Sequence, residues 1–195
     1  MKTRHYQFWR NVELIKNSNT FANMNYQKQI EEFRKEKDMF FKTSPYTPLT
    51  SEQQEAFSGL NYFRVDEKFR FIVELKEFKN KTLIKIITSK GTEQEYIRYG
   101  FVEFEVDGVK CMLTVFKQVN SDYFFVPFKD KTSGKETYGA GRYIEIEHIE
   151  GNKYILDFNL AYNPYCAYNE NWVCPLVPFE NHLPVEIRAG EKSFK

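Results

Sequence analysis

The sequence predicts a mainly β protein, built as an antiparallel barrel or strongly curved sandwich of about nine strands, with one or two N-terminal helices packed against it. After residue 60, short apolar runs alternate with turn signals at regular spacing. Phe (19) and Tyr (13) dominate an aromatic content of 17 %, which is typical of a β-rich core. Closing a sheet removes its exposed edges, so a barrel is the preferred form.

The helical signals lie before residue 60. A helical period begins at Tyr26, with Asn25 as the N-cap, and we expect it to end near Thr43 before two prolines. Thr50 and Gln53 have the spacing of a capping box, which predicts a second, short helix closed by a glycine.

The predicted domain organisation follows from these signals. Residues 1–25 lack a regular period, so we expect a flexible leader. Residues 26–195 form a single β-rich domain, in which the segment 26–59 is helical.

Alternation of apolar and polar residues predicts the strands. Asp107-Gly108 is the strongest hairpin signal, and further turns are expected at Lys79-Asn-Lys81, Lys90-Gly91 and Glu150-Gly-Asn-Lys153. The predicted strands are 69–76, 83–88, 94–99, 102–106, 109–117, 123–128, 142–149, 154–158 and 184–188.

Charge and hydropathy limit the classes of partner. The 28 basic and 27 acidic side chains leave a net charge of +1, which argues against a nucleic-acid-binding protein. No apolar run approaches the roughly 20 residues of a membrane span, and the N-terminus lacks the apolar region of a signal peptide. We therefore expect a cytoplasmic protein, with an exported one as the alternative.

The long loop 159–181 is the most informative segment, because it contains two of the three cysteines and little regular period. For Cys166 and Cys174 the first expectation is structural packing. A disulfide, a reactive thiolate and a metal site are the alternatives, and for the metal site these two residues are only weak ligand candidates. No cofactor can be named from this pattern.

A glycine-containing loop, 130–143, is the second candidate segment. Its glycines let the backbone adopt positive φ or approach a ligand, and Arg142 offers a forked donor for an anion. Asp130 is either part of that site or the internal partner of Arg142.

Two further pairs carry carboxylates. Asp157 and Asn159 fall on one face of a predicted strand, facing either water or a covered cavity. Glu180 and Asn181 follow Pro178 and Phe179, which would place Glu180 in an apolar setting where its pKa rises and it can act as an acid or base.

Several sequence blocks together resemble the bacterial and archaeal family catalogued as domain of unknown function sixteen eighty-four. These blocks include Thr137-Tyr-Gly-Ala-Gly-Arg-Tyr143, Leu156-Asp-Phe-Asn159, Asn163-Pro-Tyr-Cys-Ala-Tyr168, Cys174-Pro175 and Glu180-Asn181. The resemblance implies no activity or cofactor. It implies that the family pattern includes Asp130, Tyr138, Arg142, Asp157, Asn159, Asn163, Cys166, Cys174, Glu180 and Asn181. Several relatives look exported, with a lipoprotein-like leader, and the leader of this chain departs from that form.

The sequence therefore predicts a binding module for a small polar or anionic ligand, held in a cleft between loops 130–143 and 159–181. The ligand-binding residues of this hypothesis are Asp130, Tyr138, Arg142, Asp157, Asn159, Asn163, Cys166, Glu180 and Asn181. The alternative is a hydrolase-like or metal-assisted enzyme that uses Asp157 or Glu180, with Cys166 and Cys174 as metal ligands. Catalytic residues and oligomeric state are not indicated by the sequence.

Overall fold

The computed structural model describes residues 25–119 and 121–194. The chain divides into two compact units, Met1–Leu60 and Asn61–Lys195. The predicted leader lies outside the described residues, except for Asn25. In the described ranges, no helix is both long enough and apolar enough to cross a bilayer.

In the described part of the first unit, residues 25–60, the chain forms two helices, α1 (Tyr26–Thr43) and α2 (Ser51–Ala56). The side chain of Asn25 accepts a hydrogen bond from the Lys28 N–H at 3.0 Å, which confirms the predicted N-cap of α1. Thr50 and Gln53 form the predicted capping box of α2, because each side chain accepts the backbone N–H of the other residue.

The described residues of the second unit form eight strands in two antiparallel sheets. A three-stranded sheet has the order β1–β8–β7, and a five-stranded sheet has the order β2–β3–β4–β5–β6. The mainly β prediction is confirmed, but the described residues form two sheets and no closed barrel. The strands are β1 (Arg70–Glu74), β2 (Lys76–Ile87), β3 (Glu93–Val106), β4 (Val109–Gln118), β5 (Phe124–Phe128), β6 (Arg142–Ile144), β7 (Ile146–Glu150) and β8 (Lys153–Asp157).

The two sheets share one apolar core. Phe158, which follows β8, is fully buried, and its ring lies 5.3 Å from that of Phe104 in β3 and 5.1 Å from that of Phe128 in β5. These edge and tilted contacts add to the burial of apolar surface that holds the sheets together. The start of loop 159–181 is thereby attached to the core.

The predicted turn at Lys79-Asn-Lys81 is wrong, because these residues lie inside β2. The pairing of β2 with β3 shifts register between Glu77 and Thr82, so a bulge takes the place of the turn. The strands predicted at 94–99 and 102–106 are one strand, β3, with a second irregularity between Arg98 and Gly100. Bulges let long strands bend without ending, which periodicity alone does not reveal.

Other strand predictions have mixed outcomes. The Asp107-Gly108 hairpin is confirmed, with φ of 48° and 80°. The predicted strand 142–149 is two strands that belong to different sheets and meet at Glu145. The segment 184–188 is not a strand, because the N–H of Ile187 bonds to the Asp130 carboxylate at 2.8 Å instead of to a neighbouring strand.

Candidate functional site

The segment that follows Trp172 is held against the end of β2. Thr88 forms an isolated antiparallel bridge with Pro175, and the Leu176 N–H bonds to the Ile87 carbonyl at 2.8 Å. The Ser89 N–H donates to the Cys174 carbonyl at 2.8 Å, while the Cys174 N–H donates to the Ser89 hydroxyl at 3.2 Å. These bonds fix the backbone on both sides of Cys174.

Cys166 and Cys174 are direct neighbours. Cys166 lies in the 3-10 turn Tyr165–Ala167, where its backbone N–H donates to the Sγ of Cys174 at 3.3 Å. Both thiols are free; Cys174 is buried and Cys166 is half-buried. Cys166 therefore presents the more accessible thiol, and the Cys174 sulfur lies directly behind it.

Hydrogen-bond donors make Cys166 the more acidic member of the pair. The Cys174 thiol, the Tyr138 hydroxyl (3.9 Å from the Cys166 Sγ) and Ser89 lower the pKa of Cys166, against the opposing effect of burial. The pKa of Cys174 is raised by its bond to Cys166 and by its deeper burial. Burial and the neighbouring Cys166 raise the pKa of Tyr138 to about 12, so its hydroxyl keeps the proton that it donates.

The contact of Tyr138 with Cys166 also joins the two candidate loops. A second link is the hydrogen bond from the Tyr143 hydroxyl to the Pro175 carbonyl. At Gly141 (φ 98°) a Cβ would lie 2.5 Å from Val177 and 2.6 Å from the Phe128 carbonyl, so only glycine permits this approach. Loops 130–143 and 159–181 are therefore in contact.

Arg142 is occupied inside the protein. Its side chain is 1 % exposed and pairs with the Asp130 carboxylate at 3.1 Å. The remaining terminal N–H groups donate to the carbonyls of Ile187, Ala189 and Glu191. Burial lowers the pKa of Arg142, while the Asp130 carboxylate raises it. Four hydrogen bonds from the guanidinium group thus go to groups within the protein. Asp130 is the internal partner of Arg142, one of the two possibilities that the sequence left open.

Asp130 organises the start of the same loop. Its Oδ1 accepts the Thr132 N–H at 3.0 Å and the Thr132 hydroxyl at 2.6 Å, and its Oδ2 accepts the Ile187 N–H at 2.8 Å. Every one of these partners is a protein group. Asp130 and Arg142 therefore connect the loop to the C-terminal segment.

Asp157 and Asn159 form a second internal cluster. Asp157 ends β8 and caps the 3-10 turn Phe158–Leu160 by accepting the Asn159 N–H at 3.0 Å. Asn159 in turn bridges both backbone groups of Asp66, at 3.0 Å and 2.8 Å. Both side chains are buried. Asn159 lies in the 3-10 turn beyond the end of β8, so the expectation that the two residues share one face of a strand is wrong.

Asn163 connects the cysteine loop to the C-terminus. Its N–H donates to the Glu191 carboxylate at 2.9 Å, and its side-chain amide donates to the Lys192 carbonyl at 2.8 Å. Its Oδ1 is buried and has no hydrogen-bond partner among the residues that the structure describes. The residue positions the start of the segment that carries Cys166.

Glu180 and Asn181 are adjacent in the 3-10 turn Phe179–Asn181 but have different partners. Glu180 forms a forked pair with Arg98, at 2.9 Å and 2.7 Å, and accepts the Thr114 hydroxyl. Burial raises the Glu180 pKa, but the bonds from Arg98 and Thr114 outweigh it, so the net pKa is lowered. Asn181 is fully buried and bonds the Thr114 N–H and the carbonyls of Thr114 and Pro127.

The structure thus brings Tyr138 and Cys166 together with Cys174. The remaining predicted residues lie in separate clusters with their own protein partners. Among residues 25–119 and 121–194, no group of three His, Cys, Asp or Glu side chains is arranged to hold a metal ion.

Sequence reasoning missed Glu145, which accepts hydrogen bonds from the hydroxyls of Tyr123 and Tyr162. Burial raises the pKa of Glu145 to about 7, although both tyrosines oppose the rise. The sequence predicts one continuous strand over 142–149, because the break between β6 and β7 has no sequence signal, and Glu145 therefore did not stand out. Ser89 and Arg98 were missed because their partners lie far away in the chain.

Comparisons with known proteins identify one family and one similar solved structure. The family described as "Protein of unknown function (DUF1684)" matches residues 55–192. The solution structure of an uncharacterized protein from gene locus rrnAC0354 of Haloarcula marismortui is 35 % identical, with a TM-score of 0.66. That match covers 86 % of this chain and 94 % of the other. No curated protein matches. The chain therefore belongs to the DUF1684 family of unknown function.

Proposed function

We propose that this protein is a thiol–disulfide redox domain that binds a small polar disulfide where loop 130–143 meets loop 159–181. The observation that carries the proposal is the contact between the two free cysteines, with the Cys166 N–H 3.3 Å from the Cys174 Sγ. A nucleophilic thiol with a second thiol directly behind it is the arrangement that disulfide exchange requires.

Cys166 carries out the first step. Its lowered pKa increases the thiolate fraction near neutral pH, and the thiolate is the form that attacks. The Cys166 sulfur bonds to one sulfur of the ligand disulfide, the ligand S–S bond breaks, and one ligand thiolate leaves. The product is a mixed disulfide on Cys166.

Cys174 completes the reaction. It loses its proton to solvent and attacks the Cys166 sulfur, which forms the Cys166–Cys174 disulfide and releases the second ligand thiol. The protein dithiol is oxidised by two electrons, and the ligand disulfide is reduced to two thiols. Burial of Cys174 favours this internal attack over direct reaction with the ligand.

The sequence hypothesis of a small polar or anionic ligand is narrowed in this proposal to a small polar disulfide. Recognition is assigned to Tyr138 and to the backbone beside Cys166, and not to Arg142, whose side chain is 1 % exposed. The hydrolase alternative is disfavoured on chemical grounds. Asp157 serves as a cap, and the lowered pKa of Glu180 makes it a poor general acid near neutral pH.

The cytoplasmic expectation is part of the same proposal. A reducing compartment keeps both thiols free between turnovers, so that each oxidation can be reversed. In an exported protein the pair would remain a disulfide.

The test is incubation of the reduced protein with oxidised glutathione, followed by thiol counting under denaturing conditions and by intact mass. Of the three thiols, wild-type protein loses the two of the pair. Cys174→Ser accumulates a glutathione adduct on Cys166, because the second attack is missing. Cys166→Ser keeps its thiols.

Cys111→Ser is the matched control. Cys111 is buried in the core, and burial raises its pKa. This variant is therefore expected to behave as wild type. The proposal is overturned if folded wild-type protein retains all three thiols, or if Cys166→Ser forms the adduct on Cys174 as readily as Cys174→Ser forms it on Cys166.

A further inference from the structure

Glu145 lies where the chain passes from the five-stranded to the three-stranded sheet, between β6 and β7. The hydroxyls of Tyr162, at 2.6 Å, and of Tyr123 both donate to its Oε1. Tyr123 precedes β5, and Tyr162 follows the 3-10 turn after β8, so three separate parts of the chain build this cluster. The convergence of two donors fixes the carboxylate in one orientation.

The other carboxylate oxygen is unused. Within the described chain, Glu145 Oε2 accepts no hydrogen bond, and no basic side chain forms an ion pair with Glu145. Two other buried or half-buried carboxylates differ in this respect: Asp130 has Arg142 at 3.1 Å, and Glu180 has Arg98 at 2.7 Å. Glu145 is thus a negative group without a cation.

A carboxylate removed from water without a cation is costly, and proteins normally relieve that cost by pairing or by protonation. Burial raises the pKa of Glu145 to about 7. Without a cation, the carboxyl group therefore relieves the cost of burial by taking up a proton. An external cation that reached Oε2 would relieve the same cost. Glu145 is half-buried and so retains some contact with solvent.

We propose that Glu145, Tyr123 and Tyr162 form a binding site for the ammonium group of a small primary amine. The ammonium donates to Glu145 Oε2, while the two phenols hold Oε1. This site is distinct from the cysteine pair and does not depend on the redox proposal.

Amine binding at this site is linked to protons. At pH 6 much of the Glu145 carboxyl is protonated, and the bound ammonium requires the ionised form. Binding at pH 6 therefore releases a proton from Glu145, whereas binding at pH 8 releases almost none. The apparent affinity for the amine rises from pH 6 to pH 8, because at the higher pH Glu145 has already lost its proton before the amine binds.

The test is calorimetric titration of the folded protein with n-butylamine, with n-butanol as the neutral probe of the same shape. A dissociation constant on the order of 1 mM is expected for so small a ligand at pH 8, and n-butanol is expected not to bind. Glu145→Gln preserves the shape of the side chain and is expected to abolish binding. The matched control is Glu105→Gln, which removes the same charge from an exposed position in β3.

A second measurement on wild-type protein covers the case in which Glu145→Gln fails to fold. Titration at pH 6 in two buffers of different ionisation enthalpy gives the number of protons released, which is predicted to approach one. The proposal is overturned if wild-type protein shows no saturable amine binding at pH 8. It is equally overturned if folded Glu145→Gln binds as wild type does, or if no proton is released at pH 6.

Discussion

Arg142 and Asp130 form an ion pair of 3.1 Å in which the two side chains are 1 % and 0 % exposed. The pair joins the start and the end of loop 130–143 and, through Ile187, holds the C-terminal segment. Removing one member leaves the other charge buried without a partner, which is more costly than the pair itself is stabilising.

Arg142→Ala is therefore predicted to lower the free energy of unfolding by about 3–5 kcal/mol, measured by urea denaturation. Arg188→Ala is the matched control, since Arg188 pairs with Glu136 at 2.9 Å on the surface. That variant is expected to lose far less stability than Arg142→Ala, because water screens an exposed ion pair. Equal stability of the two variants would contradict a structural role for Arg142.

Asn181 is predicted to be a second structural residue. Asn181→Ala leaves the Thr114 N–H and the carbonyls of Thr114 and Pro127 buried without partners. We expect a loss of about 2–4 kcal/mol in unfolding free energy. Asn152→Ala, at an exposed turn position, is the control and should unfold almost as wild type does. A small effect at Asn181 would mean that water replaces the lost bonds.

Glu145 gives the protein a stability that depends on pH. Its pKa in the folded state is about 7, above the ordinary value of 4.5, so the folded state binds the proton more tightly. This contribution is fully present below pH 4.5 and is lost as pH rises through 7. The limiting difference is about 3 kcal/mol.

The difference in unfolding free energy between wild type and Glu145→Gln, measured from pH 5 to pH 8, isolates that contribution. Wild type should lose stability relative to the variant as pH rises. A difference that stays constant across this range would show that Glu145 has an ordinary pKa in the folded protein.

The hydroxyl of Tyr138 is predicted to support the Cys166 thiolate. Tyr138→Phe removes one donor, so alkylation of Cys166 by iodoacetamide at pH 6 should slow by about fivefold. The readout is mass spectrometry of the Cys166 peptide over time, with the Cys111 peptide as an unreactive internal reference. An unchanged rate would show that the Tyr138 hydroxyl does not stabilise the Cys166 thiolate.

Local features of the fold were predictable from the sequence because their signals are local. Asn25 and Thr50 cap helices with their own neighbours, and Asp107-Gly108 supplies the positive φ that its hairpin needs. The bulge at 77–82 and the break at Glu145 were not predictable, since both depend on which strand lies alongside.

The candidate site was predictable only in part. Composition and glycine content drew attention to the two loops, which contact each other through Tyr138 and Cys166. Whether Arg142 faces a ligand or Asp130 depends on carbonyls more than forty residues away, at Ile187, Ala189 and Glu191. Such long-range partners leave no trace in a spacing pattern.

The most direct test of the redox account is peptide mapping of wild-type protein after equilibration in a glutathione buffer that is made progressively more oxidising. A peptide linked through Cys166 and Cys174 is expected to appear at a defined potential and to disappear on return to a reducing buffer. If the two cysteines stay reduced across the series, or if Cys166 forms only mixed disulfides with glutathione, the proposed function is contradicted.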